Sequence, residues 1–145
     1  MMASLKWNSE MEFVTENRGI CNIIDATPEH GGNDKGPGPK ELVLNAMMGC
    51  TAMDVMATLK KMRIKPDSFS MEAEAEKNDE HPIHFKKALL TFYVRGDLDE
   101  KKLIKATYLS LTKYCGVNYM ISKTCIINFK VILNGAEVYN GKAFP

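Results

Sequence analysis

The 145-residue chain carries four cysteines, and two of them stand where thiol chemistry is conceivable. Cys50 lies in Met47-Met48-Gly49-Cys50-Thr51, inside a long apolar run. Cys115 lies in Lys113-Tyr114-Cys115-Gly116, at the end of a second helical pattern. Either thiol also makes sense as a small core hydrophobe, and their distance in sequence leaves open whether they meet. If they do meet, the attacker must be a thiolate, whose unperturbed pKa is about 8.5. Cys115 sits where helix carbonyls point, which disfavours a negative charge. Cys50, in mid-helix, gains nothing from the helix dipole and needs a cation. Arg18, Lys35 and Lys40 are the candidates, and Arg18 is preferred because guanidinium stays charged when partly buried and can fork onto an oxygen. Asp54, one helical turn beyond Cys50, opposes ionisation if it faces the thiol. Cys21 and Cys125 read as structural.

The other motifs lead nowhere. His81-Pro82-Ile83-His84 offers two metal ligands at most, with no CxxC or HExxH to complete a zinc set. A set of Cys50, Cys115 and a histidine is the weakest reading, so neither metal nor cofactor is expected. Gly36-Pro37-Gly38-Pro39 has neither the Walker nor the Rossmann spacing, and its prolines remove backbone donors. The ten methionines read as core filling.

The elements that must position the cysteines follow from periodicity. Alternation through Ala3–Asp25 predicts short antiparallel strands with turns near Ser9 and Arg18-Gly19. Pro28–Pro39 is a loop by composition. A helix is expected from Pro39 to about Met62, ending before Lys65-Pro66. Strands follow at Ser68–Glu76 and His84–Arg95. Asp97-x-x-Glu100 reads as a capping box for a second helix with an Ile104, Tyr108, Leu111, Cys115 stripe. A last strand, Cys125–Leu133, turns Ile127, Phe129, Val131 and Leu133 inward. The order predicts an α+β fold with antiparallel sheets and two main helices, as a single domain over 1–145. The first helix is apolar on nearly every side and must be covered all round. One sheet covers one side, and a second copy of the chain is the simplest cover for the other.

Composition narrows the function. A 45% hydrophobic, 26% charged chain is globular and not disordered, and a net charge of +1 argues against nucleic acid as a partner. Charges at Lys6, Glu10 and Glu12 interrupt any leader-like run. The apolar stretch Leu42–Leu59 contains Asp54, and a charge at mid-membrane costs about 2.5–3.5 kcal/mol, so a buried helix is expected instead of a membrane span. Four thiols in such a chain suit a reducing, cytoplasmic setting.

Three segments together resemble the OsmC/Ohr family: Gly36-Pro37-Gly38-Pro39-Lys40-Glu41-Leu42-Val43-Leu44, Gly49-Cys50-Thr51-Ala52-Met53-Asp54-Val55 and Lys113-Tyr114-Cys115-Gly116-Val117. Trp7, His81-Pro82 and the order of elements extend the resemblance over nearly the whole chain, closer to the OsmC-like branch than to Ohr. It implies an intertwined homodimer that reduces organic hydroperoxides at the subunit interface. Cys50 would attack the peroxide and Cys115 would resolve the sulfenic acid as a disulfide, which a dithiol reductant then opens. The role implied is protection against oxidative stress. The family pairs an arginine with a glutamate ten residues before the first cysteine. Here that position is Lys40, and Glu41 is nine before, where about 900° of helix puts it opposite Cys50. Arg18 approximates the arginine, and Gly116 replaces the proline of Ohr proteins. The resemblance thus implies Cys50, Cys115, Arg18 and Glu41 as site residues, with an apolar pocket lined by Met47, Met48 and Tyr114. The departure at Lys40 favours the alternative, a non-catalytic binding or redox-sensing module for a small apolar or thiol-reactive ligand.

Overall fold

A computed structural model describes residues 1–144. Two compact units make up the chain, residues 1–43 and 44–145. The first holds an antiparallel three-stranded sheet, β1 (Ser4–Ser9), β2 (Glu12–Asn17) and β3 (Ile20–Ile24), in sequence order. Arg18 and Gly19 form the two-residue turn between β2 and β3, with φ of 55° and 81°. Positive φ at both central positions is the hairpin geometry that follows the strand twist.

After β3 the glycine-rich segment is ordered by one carboxylate. Asp25 accepts N–H groups from Ala26 at 2.8 Å, Asn33 at 3.0 Å and Lys35 at 3.1 Å. Burial pushes its pKa up, but these backbone donors outweigh burial and hold it below the ordinary value. A Cβ at Gly32 would sit 1.9 Å from the Ala26 carbonyl oxygen, so only glycine fits the fold of this loop.

Helix α1 runs Pro39–Lys61, as the proline at its start predicts. By length and composition it is apolar enough to cross a membrane. Its buried residues are Met47, Thr51, Val55 and Leu59, a single i, i+4 stripe. Met53 remains 76% exposed. Within one chain the helix is therefore covered on one side only.

The second unit is built on a four-stranded sheet of β4 (Ser68–Lys77), β5 (Phe85–Arg95), β6 (Ile126–Leu133) and β7 (Ala136–Lys142), in that order. β4 alternates as expected, and Leu90, Phe92 and Val94 of β5 with Ile127, Phe129 and Val131 of β6 form the buried face. Phe92 meets Phe69 and Phe129 edge-on at 6.2 and 6.1 Å.

Several expectations need correction. β5 and β6 pair in parallel, so this sheet is mixed and not purely antiparallel. The helical connection between them is the crossover that parallel neighbours require. β7 was not anticipated. Its hairpin turn is Asn134-Gly135, with φ of 51° and 87°. α2 (Glu100–Leu109) is capped by Asp99, whose carboxylate accepts the Lys102 N–H at 2.9 Å, and not by Asp97. Its buried stripe is Leu103, Ala106, Thr107, Ser110 and Leu111, while Tyr108 faces out at 41% exposure.

Candidate functional site

α2 does not run on to Gly116. It widens into a π turn at Ser110–Tyr114, closed by the Cys115 N–H on the Ser110 carbonyl at 2.8 Å, and a new helix α3 starts at Gly116 and ends at Ile121. One extra residue in the turn re-aims everything after it. Cys115 thus becomes the N-cap of α3, with extended backbone (φ −73°, ψ 100°), and its Sγ accepts the Asn118 N–H at 3.4 Å. The sequence places Cys115 where helix carbonyls point, and the structure corrects this by adding the N–H end of the next helix to its surroundings.

Thr51 of α1 fastens this junction. Ser110 Oγ donates to the Thr51 carbonyl at 2.9 Å, and Asn118 Nδ2 donates to Thr51 Oγ1 at 2.6 Å. The Thr51 hydroxyl proton goes to the Met47 carbonyl at 2.7 Å, with Cys115 Sγ a longer neighbour at 3.8 Å. Thr51, Ser110 and Asn118 are all fully buried. A buried polar network of this kind fixes one geometry, because each lost bond strands a desolvated group.

The network delivers Cys115 to Cys50. The two Sγ atoms and a carboxylate oxygen of Asp54 all lie within 4.8 Å of one another. Cys50 and Asp54, four apart on α1, share one face and are half-buried, whereas Cys115 is buried. Burial above all pushes the Cys115 thiol up to about 11, and the neighbouring Cys50 thiol adds to the shift against the opposing pull of the Asn118 N–H and the Thr51 hydroxyl. Cys115 is accordingly held as a thiol at neutral pH. Burial also raises the Asp54 carboxyl above its ordinary value.

The remaining site candidates have these local settings. Arg18 is exposed at its hairpin turn. Lys35 is already paired, its Nζ 2.6 Å from Glu12. Lys40 is exposed in the first turn of α1, and Glu41 beside it accepts the Gly38 N–H at 2.7 Å. Of the expected pocket residues Met47 is wholly buried, leaving half-buried Met48 and exposed Tyr114. Cys125 is buried as expected, but Cys21 is exposed, so it is no core residue. Among the described residues the third group beside the cysteine pair is Asp54 and not a histidine, and the sequence marked Asp54 only as a conditional hindrance. Its i+4 spacing from Cys50 was the available signal.

A family described as OsmC-like protein matches residues 31–130. Protein YhfA of Escherichia coli K12 is 34% identical over 124 residues, 85% of this chain and 90% of that protein. A hypothetical protein from Aquifex aeolicus VF5 superposes with a TM-score of 0.77 at 25% identity, covering 92% of this chain and 96% of the other. The organic hydroperoxide resistance protein OsmC from Legionella pneumophila shares the fold, with a TM-score of 0.70 at 14% identity over 90% of this chain and 94% of its own.

Proposed function

Because the chain belongs to the OsmC-like family, we propose that it reduces organic hydroperoxides with the Cys50–Cys115 thiol pair, protecting its cell against oxidative stress. The observation that carries this reading is the approach of the two sulfurs within 4.8 Å of one another. The name of the Legionella structural neighbour agrees with it. The Cys50 thiolate attacks the terminal peroxide oxygen, the O–O bond breaks, and the alkoxide leaves as the alcohol after taking a proton. Cys50 is then a sulfenic acid. Cys115 attacks its sulfur, a disulfide forms, and water leaves. A dithiol reductant returns both thiols and is itself oxidised to a disulfide. Cys115, held protonated, is suited to the second role and not to the first. With excess dithiol, cumene hydroperoxide should be consumed over many turnovers. If none is consumed, the alternative reading takes its place: a binding or sensing module without turnover. The lysine at position 40 favours that alternative.

The working unit is a homodimer in the cytoplasm, acting on a small organic hydroperoxide, with neither nucleic acid nor membrane as partner. Apolar surface left open in one chain supports the dimer: Met53 and Met56 on α1, and Leu5, Trp7, Ile20 and Ile23 on the β1–β3 sheet. Obligate interfaces resemble a domain core cut in half. Analytical ultracentrifugation at micromolar concentration should show dimer alone, and a stably folded monomer would contradict this.

The cation proposed to assist the attacking thiol is Arg18, and Glu41 matters less, its carboxylate being engaged by the Gly38 N–H. Arg18→Ala should slow alkylation of Cys50 at neutral pH, measured as the rate of iodoacetamide incorporation. Glu41→Gln should change it little. The opposite ranking would refute the assignment.

A further inference from the structure

We infer that Asp54 is the base of the resolving step: its carboxylate takes the proton from the Cys115 thiol as Cys115 attacks oxidised Cys50, and passes it to the departing hydroxide. The inference rests on the thiol-peroxidase reading above and adds to it the residue that moves the proton.

The geometry comes first. One Asp54 carboxylate oxygen and both sulfurs lie within 4.8 Å of one another, so a single group reaches the proton donor and the leaving group together. Asp54 interrupts the otherwise apolar stretch of α1, and among the described residues it forms no ion pair. A half-buried carboxylate without a cation carries a desolvation cost that folding alone does not explain. The titratable groups facing it are Cys50 from its own helix and Cys115 from the junction of the π turn with α3.

The chemistry then requires a base at this place. With the Cys115 thiol held up at about 11, it is overwhelmingly protonated at pH 7. The resolving attack also expels hydroxide, which leaves readily only as water. Asp54 serves both needs. The Cys115 S–H bond breaks, its proton passes to the carboxylate, the Cys50–Cys115 S–S bond forms, the Cys50 S–O bond breaks, and the hydroxide takes the proton to leave as water. Cys115 is oxidised and the Cys50 sulfenic sulfur is reduced, both to disulfide. No outside reactant is needed. In the first step the same carboxylate faces the attacking Cys50 sulfur, whose negative charge it repels, so Asp54 has opposite effects on the two steps.

That opposition defines the test. One equivalent of cumene hydroperoxide is mixed with the protein without reductant, and samples are quenched over time. Dimedone traps the sulfenic acid, and mass spectrometry follows the disulfide. Asp54→Asn should speed formation of the sulfenic acid yet slow disulfide closure by about 100-fold, the lower range for loss of a general base, so that dimedone adducts on Cys50 accumulate. In the wild type, closure should accelerate as pH rises through the elevated Asp54 value and then level off, because the deprotonated carboxylate is the active form. Asp54→Asn should lose this feature and accelerate only towards the pKa of Cys115. Asp54→Glu should restore the wild-type pH profile in part, which also guards against a folding defect in the asparagine variant. Closure by Asp54→Asn at the wild-type rate with an unchanged pH profile would overturn the role of Asp54 alone. A wild type that forms no disulfide at all would overturn the thiol-peroxidase reading beneath it.

Discussion

Cys50→Ser should abolish hydroperoxide consumption, whereas Cys115→Ser should complete one rapid turnover and then stall without closing a disulfide. This is the expected pair of results, and the asymmetry between them is the informative part. Cys50 is half-buried, while Cys115 is buried and held as a thiol at about 11. A serine at 50 leaves no nucleophile at the site, since Cys125 is buried with its pKa raised and Cys21 lies on β3. A serine at 115 leaves the first step intact but removes the thiol that closes the disulfide. Cys50 then remains as sulfenic acid and, with more peroxide, proceeds to sulfinic acid. Rapid-quench assays of peroxide loss, with mass spectrometry of residue 50, separate the two variants. If both lose the first turnover equally, Cys115 does more than resolve.

Phe92→Ala should destabilise the fold by about 3–5 kcal/mol, the usual cost of emptying a large buried aromatic site. Phe92 is fully buried and braced edge-on between Phe69 and Phe129. Phe129 in turn stacks on Tyr139 with ring centroids 4.6 Å apart and meets Tyr108 of α2 at 6.4 Å. The cavity therefore opens beneath the helix that leads into the π turn and Cys115. Urea unfolding followed by circular dichroism measures the loss. Tyr93 beside it in sequence is 37% exposed, and its replacement by Ala should cost far less. Equal costs at the two positions would mean that the sheet face is assigned wrongly.

Much of this fold is legible in the residues, because period-two alternation and helical stripes record which side of an element is buried. Phe69, Met71, Ala73 and Ala75 point one way on β4, and Ile127, Phe129 and Val131 do so on β6, as their alternation demands. Strand direction is not written in alternation. It follows from the connection, and the helical crossover between β5 and β6 was the sign of a parallel pair. Asn134-Gly135 was an equally direct hairpin signal for β7.

The site divides in the same way. Cys50 and Cys115 stand out by residue type and motif, but their meeting depends on the π turn at Ser110–Tyr114 and on the Thr51–Asn118 hydrogen bond. Hydrophobic periodicity carries no trace of a single extra residue in a helix. Nor does it show that a threonine and an asparagine far apart in sequence share a buried bond. Asp54 was visible through its spacing from Cys50, but its approach to Cys115 required the fold.

The central claim is that Cys50 and Cys115 act as one redox pair, and its most direct test is the disulfide itself. Wild-type protein treated with one equivalent of cumene hydroperoxide, alkylated and digested, is analysed by mass spectrometry under non-reducing conditions. The account predicts a loss of two hydrogens from the intact chain, a cross-linked peptide joining Cys50 to Cys115, and alkylated Cys21 and Cys125. A product in which Cys50 is oxidised or cross-linked elsewhere while Cys115 stays reduced would contradict it.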